Sequence, residues 1–207
     1  MTPNQEKAFQ AFDNEKHIVL HGVAGSGKTF LALYFALSSL LYHKTHNRII
    51  IVRSTVSMRD MGFLPGNKAE KSKEYEAPYR HLCSELFGRD DAYDILKRNN
   101  MISFEPTSFL RGTTMNDAIV IVDEIANMTF QELDGIVTRI GENTRLFMAG
   151  DTRQSDFRWD DEKEGLGKFI RIMKQLDLVD FIEMGIEDIV RSSFVKDYLI
   201  AKHQSGF

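Results

Sequence analysis

Cysteine is nearly absent from this sequence, and its scarcity excludes two kinds of structure. Cys83 is the sole cysteine among 207 residues. Disulfide frameworks and cysteine-based zinc sites both need at least two, so neither is expected. Long apolar runs are also missing, since none approaches the roughly 20 residues of a membrane span. The N-terminal residues lack the basic and then apolar pattern of a signal peptide. We therefore expect a cytoplasmic protein without a membrane partner.

An excess of positive charge is missing as well. The chain has 26 Lys and Arg residues against 30 Asp and Glu residues, a formal net charge of −4. This balance argues against a protein held on nucleic acid by a bulk positive field, but it is compatible with a local basic groove. Internal repeats and low-complexity tracts are absent too, and the length suits one domain. We expect a single domain over residues 1–207.

The strongest motif is a glycine-rich stretch that fits G-x-x-x-x-G-K-[ST] in full, the pattern of a phosphate-binding P-loop. It reads Gly22-Val23-Ala24-Gly25-Ser26-Gly27-Lys28-Thr29. An apolar strand pattern at 17–21 precedes it and an apolar helical pattern at 31–41 follows it. Backbone N–H groups and the helix N-terminus would then face the phosphates of ATP. Lys28 would reach the β- and γ-phosphates, and the Thr29 hydroxyl would bind Mg²⁺.

Short apolar strands alternate with helical segments along the whole chain. The strand patterns cover 17–21, 48–52, 101–105, 118–122, 145–149 and, more weakly, 181–184. The helical patterns cover about 2–14, 31–41, 75–87, 91–98, 129–140, 163–176 and 193–203, and 54–75 lacks periodicity. This alternation predicts an α/β protein with three layers, α-β-α, around a mostly parallel sheet.

An acidic pair, Asp123-Glu124, directly follows the most apolar strand pattern. Ligands of open α/β sheets bind beyond the carboxyl ends of the strands, so the pair is expected beside the P-loop. Asp123 would hold Mg²⁺ through oxygen, and Glu124 would orient or deprotonate the water that attacks the γ-phosphate. The alternative is a solvated acidic pair at the start of a loop, and the complete P-loop upstream favours the catalytic interpretation.

Three more side chains are candidates for the same reaction. Gln154 follows the strand pattern expected beside the P-loop strand, where an amide can contact the γ-phosphate or its water; the alternative is a surface residue near a helix cap. Arg191 is the first candidate for an arginine finger and Arg139 is the second. Either arginine also suits a structural salt bridge, and the sequence leaves this open.

Gln5 has two interpretations. Thr2, Pro3 and Gln5 form a capping-box pattern that starts a helix. An amide can also pair with the N6 and N7 edge of adenine, as an upstream glutamine does in many helicase-like ATPases. The spacing favours the capping role.

Taken together, these segments resemble the PhoH family of P-loop ATPases in a small, phage-type form. The resemblance covers nearly the whole chain. It rests on the P-loop, Gly62-Phe63-Leu64-Pro65-Gly66 with Lys71 and Pro78, Arg111-Gly112-Thr113, Val122-Asp123-Glu124, Thr138-Arg139-Ile140-Gly141, Gly150-Asp151 with Gln154, and Asp188-Ile189-Val190-Arg191. The family usually has Pro at the position of Ser54, Ala-Gln-Asn at 125–127 and His at the position of Ser192. None of these departures affects Lys28, Thr29, Asp123 or Glu124.

The resemblance implies a RecA-like core related to superfamily-one helicase motors, with Mg²⁺-dependent ATP hydrolysis linked to RNA or single-stranded nucleic acid. Loops after the second and third strands touch the nucleic-acid backbone in related motors. Here these are Arg53, Ser54 and Thr55, and Arg111, Gly112 and Thr113. Such side chains suit phosphate contacts that read no sequence. Local structural pairing of Arg53 and Arg111 is the alternative.

Two-domain helicases close one motor core on another, whereas this length holds one core. We therefore expect a homo-oligomer in the form of a ring, with an arginine supplied in trans. A small-molecule or nucleotide kinase is the alternative enzyme class, but no Arg-rich lid pattern is seen. A non-hydrolysing nucleotide switch is the third hypothesis, and Glu124 argues against it.

Overall fold

In the part of the chain that the structure describes, the sheet has six strands, and every pair of neighbouring strands is parallel. The computed structural model describes residues 1–54, 68–110, 112–151, 160–190 and 192–204. The strands are β1 (His17–Gly22), β2 (Arg48–Arg53), β3 (Ile102–Pro106), β4 (Ala118–Asp123), β5 (Arg145–Gly150) and β6 (Val179–Met184). Their order in the sheet is β3-β2-β4-β5-β1-β6. The predicted parallel α/β architecture is confirmed.

The helices connect these strands as the sequence predicts, with one difference in extent. They are α1 (Pro3–Asp13), α2 (Lys28–Leu37), α3 (Lys68–Phe87), α4 (Ala92–Arg98), α5 (Phe130–Val137), α6 (Asp160–Met173) and α7 (Ser193–Gln204). A π-helical segment, Ser38–His43, continues α2. The prediction that α3 begins near Tyr75 was wrong. Pro78 lies inside this helix, and the Lys-, Ala- and Glu-rich residues before it are good helix formers.

Hydrophobic residues cover both faces of the sheet. Ile49 and Ile51 point to the face that packs against helices α1 to α4. Ile50 and Val52, which alternate with them along β2, point to the face covered by α5 and α6. Successive side chains of a strand face opposite sides of the sheet, so an all-apolar strand needs helices on both. This confirms the three-layer arrangement.

The strand order brings the P-loop and the acidic pair to the same edge. Ile18 of β1 is in register with Phe147 of β5, which confirms that β5 lies beside the P-loop strand. On the other side of β5, Asp123 of β4 is in register with Ala149. All of these strands end at one edge because they are parallel. None of the described helices is long and apolar enough to cross a membrane.

Candidate nucleotide site at the carboxyl edge of the sheet

The P-loop is a closed backbone turn between β1 and α2. Gly27 adopts a left-handed conformation (φ 81°) as the N-cap of α2, a conformation that favours glycine. Ser26 Oγ donates a hydrogen bond to the Val23 carbonyl at 2.8 Å, across the turn. The Val190 N–H donates to the Gly25 carbonyl at 3.2 Å from outside the loop. These contacts hold the loop in shape at the N-terminus of a helix, where anions bind.

The Lys28 side chain folds back inside the loop. Its Nζ donates to the carbonyl oxygens of Gly22 at 3.0 Å and Val23 at 2.6 Å. Burial lowers the pKa of Lys28, and the nearby carboxylates, Asp151 foremost, act in the opposite direction. The ammonium is thus hydrogen-bonded to carbonyl oxygens of the loop. On binding, phosphate oxygens would take the place of these carbonyl partners.

Asp123 is held by two hydroxyl groups, one on each carboxylate oxygen. Thr29 Oγ1 donates to Oδ1 at 2.9 Å, and the phenol of Tyr79 donates to Oδ2 at 2.7 Å. Burial, and then the neighbouring Asp123, raises the pKa of Tyr79 well above its usual value, so the phenol keeps the proton that it donates. The sequence reasoning found Thr29 and Asp123 but missed Tyr79.

The Thr29 and Asp123 oxygens fit a magnesium ion. Mg²⁺ prefers hard oxygen ligands and is usually held by one or two protein groups together with phosphates and water. A hydroxyl and a carboxylate 2.9 Å apart at the mouth of a P-loop supply that set. No group of three or more His, Cys, Asp or Glu side chains suited to a metal occurs among the residues that the structure describes. One hydroxyl and one carboxylate would hold Mg²⁺ together with phosphate oxygens and water.

Glu124 leaves the end of β4 in an uncommon backbone conformation. Its φ and ψ of 57° and 46° lie in the left-handed region, which is unusual for a residue other than glycine and is often found at functional sites. Arg53 Nη2 lies 3.6 Å from Glu124 Oε1. Arg53 is in register with Asp123 across the β2–β4 pair, which explains why the two side chains meet. The residue proposed for a nucleic-acid contact thus pairs with the residue proposed as the base.

These groups surround one cleft with a volume of ≈ 640 Å³. Ligand pockets commonly occupy about 300–1,000 Å³, so a nucleotide is a suitable occupant. Lys28, Thr29, Asp123 and Glu124 all line it, as does Asp151. The structure thus brings the candidates Lys28, Thr29, Asp123 and Glu124 together in one cleft.

One face of α3 forms the opposite wall of the cleft, and the sequence analysis did not foresee it. This face carries Pro78, His81, Leu82 and Glu85. Their spacing of three and four residues shows that they share a helical face. The spacing alone does not show which other element that face meets.

The predicted nucleic-acid residues differ in their surroundings. Ser54 is 5% exposed, and its hydroxyl donates to Glu132 Oε1 at 3.2 Å. Thr107 Oγ1 donates to the same oxygen at 2.6 Å. Gly112 and Thr113 are exposed, and Thr113 Oγ1 bonds back to the Leu110 carbonyl at 3.3 Å. The Ser54 hydroxyl therefore connects the residue after β2 to Glu132 of α5. Gly112 and Thr113, in contrast, are accessible to solvent.

Gln5 takes part in the predicted capping box. Its Oε1 accepts from the Thr2 N–H at 3.0 Å, and its own N–H donates to Thr2 Oγ1 at 3.3 Å. The capping role is confirmed. Its adenine contact stays a prediction.

The remaining predicted residues lie in different parts of the chain. Thr55, Arg111, Gln154 and Arg191 lie outside the described residues. Arg139 follows α5, which runs from the carboxyl edge of the sheet back to the edge where β5 begins. Its Nη1 donates to the Gly135 carbonyl of that helix at 2.5 Å, a local structural contact.

Comparisons with known proteins agree with this geometry. A family described as "PhoH-like protein" matches residues 1–202. The chain is 32% identical over 194 residues to a PhoH-like protein of Synechocystis, covering 92% of this chain and 58% of that one. It is 32% identical over 195 residues to protein PhoH of Escherichia coli K12, covering 93% and 54%. The chain therefore spans a little over half the length of these relatives.

A solved structure supports the fold assignment. The large terminase of the thermophilic bacteriophage D6E, in complex with ADP, superposes with a TM-score of 0.50 at 11% identity, over 95% of this chain and 48% of that chain. At this identity the likeness concerns the fold alone. The chain has the fold of a RecA-like P-loop ATPase core.

Proposed function

The chain belongs to the PhoH-like protein family, and from that premise we propose that it binds ATP with Mg²⁺ and hydrolyses it. One observation carries the proposal: Thr29 and Asp123 make their 2.9 Å contact in the same cleft that Lys28 and Glu124 line. Triphosphate binding, metal binding and activation of water each have a suitable side chain there.

The roles follow from position. The P-loop N–H groups and the N-terminus of α2 hold the phosphates, and Lys28 leaves its carbonyl partners to neutralise the β- and γ-phosphates. Thr29 and Asp123 would hold Mg²⁺, which when bound neutralises charge that develops on the phosphate oxygens. Glu124 orients a water molecule and accepts its proton as the water oxygen bonds to the γ-phosphorus. The bond to the β-phosphate oxygen breaks, so ADP leaves and the proton ends on inorganic phosphate.

Arg53 bears on the activity of Glu124. The 3.6 Å ion pair holds the carboxylate near the exit of β2. For Glu124 to contact water at the γ-phosphate, either its carboxylate moves away from Arg53 or one carboxylate oxygen stays with Arg53 while the other contacts the water. Exposed pairs are worth about 0–1 kcal/mol, so ligand binding at the end of β2 can shift this balance.

A pair of variants tests hydrolysis. Glu124→Gln keeps the shape of the side chain but not its basicity, so phosphate release should fall at least about 100-fold while ATP affinity stays within a few-fold. Lys28→Ala should weaken ATP binding itself. Glu142→Gln, an exposed change at the far edge of the sheet, is the matched control. Undiminished phosphate release by Glu124→Gln would contradict the assignment of the base.

We extend the proposal to nucleic acid, namely RNA or single-stranded DNA. Its support is the position of Arg53 at the end of β2, where it lines the cleft, together with the exposure of Gly112 and Thr113 and the family. The phosphate release rate is measured with and without single strands at two salt concentrations. Stimulation that weakens at higher salt indicates phosphate contacts. Equal rates in all four conditions would contradict the nucleic-acid proposal and leave the proposal of nucleotide hydrolysis in place.

We also propose that a second copy completes the site, with Arg191 as the first candidate for the finger in trans. Turnover per chain should then rise with protein concentration as the oligomer, a ring in this proposal, assembles. Light scattering measures the mass over the same range. A monomer with constant turnover per chain would contradict this.

A further inference from the structure

Tyr79 of α3 contacts the candidate metal site, although the hydrolysis mechanism above makes no use of it. Its hydroxyl donates to Asp123 Oδ2 at 2.7 Å. The residue is 0% exposed, and its ring lies 6.1 Å from that of Phe104, centroid to centroid. The phenol is thus fixed by packing and ends on a carboxylate at the mouth of the P-loop.

The two carboxylate oxygens of Asp123 have different partners, and this fixes the orientation of the carboxylate. Oδ1 faces Thr29, the other candidate metal ligand, and Oδ2 faces Tyr79. The carboxylate can rotate about its bond to the β-carbon, and a single partner would not prevent this. With Tyr79 on Oδ2, Oδ1 stays directed at the position where Thr29 and a metal ion meet.

We propose that Tyr79 is a positioning residue for the metal-binding carboxylate of Asp123. The proposal rests on the proposed function, since it assumes that Asp123 and Thr29 hold the metal of a metal–nucleotide complex. Hydrogen-bond partners that orient metal ligands typically contribute about 10–100-fold to metal affinity. Asp123 is only 4% exposed, so water has little access to replace a lost phenol.

The competing explanation is that Tyr79 contacts Asp123 only because its buried hydroxyl needs a hydrogen-bond acceptor. Under that explanation, removal of the hydroxyl changes stability but leaves metal affinity alone. Tyr93 of α4 offers a matched control. It is also 0% exposed, it packs in the same hydrophobic core, and its ring lies under Arg80 rather than at the cleft.

The experiment compares wild type, Tyr79→Phe and Tyr93→Phe. Both variants keep the aromatic ring, and urea unfolding checks that each one folds. Protein is held in excess over ADP, so that the nucleotide is protein-bound before Mn²⁺ is added. Free Mn²⁺ is then followed by electron paramagnetic resonance, with ADP alone as reference. A fluorescent ADP analogue measures nucleotide affinity in EDTA.

We expect the Mn²⁺ dissociation constant to rise at least about tenfold in Tyr79→Phe and less than about twofold in Tyr93→Phe. Nucleotide affinity in EDTA should be equal in all three proteins. An unchanged Mn²⁺ constant in Tyr79→Phe, or an equal rise in both variants, overturns the positioning role while the metal site stands. If wild type with ADP holds Mn²⁺ no more tightly than ADP alone, the metal site itself fails and the inference fails with it.

Discussion

Asp188 offers the sharpest test of how the late Asp-Ile-Val-Arg segment supports the site. Its carboxylate is 0% exposed and accepts hydrogen bonds from the Gly185 N–H at 2.7 Å, from Asn4 Nδ2 at 2.9 Å and from the Thr2 hydroxyl. One carboxylate therefore fastens the start of α1 to the segment after β6. Two residues further on, the Val190 N–H bonds to the P-loop.

The substitution Asp188→Asn keeps the shape and removes the charge. Hydrogen bonds to a charged group are worth about 1.5–3 kcal/mol each. The asparagine oxygen can keep the Gly185 and Asn4 donors, and the new NH₂ group then faces the Thr2 hydroxyl, which has to turn from donor to acceptor. We expect a loss of about 2–3 kcal/mol, because three hydrogen bonds to a charged acceptor become hydrogen bonds of a neutral amide. In a domain of this size that corresponds to a fall in Tm of about 4–12 °C.

Urea unfolding followed by circular dichroism measures the effect. Glu187→Gln is the control, because Glu187 is the exposed neighbour and also contacts Asn4 Nδ2, at 2.9 Å. Surface changes of this kind usually stay within about 0.5 kcal/mol. If Asp188→Asn were as stable as Glu187→Gln, the argument that this buried carboxylate anchors α1 would be refuted.

Three further predictions concern other parts of the fold. Gly22→Ala should lower the free energy of unfolding by at least about 2 kcal/mol in urea titration, because φ is 116° and a Cβ would lie 2.2 Å from the Met184 carbonyl oxygen; equal stability would contradict this. Glu132→Ala should cost about 1–3 kcal/mol in the same assay, since the Ser54 hydroxyl loses its acceptor; a change under 0.5 kcal/mol would not fit. Burial raises the pKa of the Cys83 thiol to about 11, so about one in a thousand is ionised at pH 8. Iodoacetamide should label it slowly in the folded protein and readily in urea, and rapid labelling without urea would contradict its burial.

Local patterns predicted most of the elements and the catalytic candidates. The apolar stretch of β4 indicates a strand buried on both faces, and the acidic pair after it then has to lie at the carboxyl edge. The start of α3 was misplaced because residues 54–75 lack the apolar periodicity that indicates a helix. Pro78 has no N–H group, so α3 lacks one backbone hydrogen bond at this position. The loss of one hydrogen bond does not prevent the turns before Pro78 from forming.

The sequence by itself determined the phosphate-binding loop, because G-x-x-x-x-G-K-[ST] between a strand and a helix specifies backbone geometry within a few residues. It likewise determined that Lys28, Thr29, Asp123 and Glu124 follow strands of one parallel sheet. Local spacing carries this information, since parallel strands end at a common edge.

Only the tertiary structure decided which side chains meet there. Tyr79 and Asp123 are 44 residues apart, and Ser54 and Glu132 are 78 apart. Their contacts depend on the strand order and on how α3 lies over the sheet, and neither follows from periodicity. Periodicity shows which face of an element is apolar but not which neighbour covers it. The partners of the Asp123 carboxylate are therefore a product of packing, as is the pairing of Arg53 with Glu124.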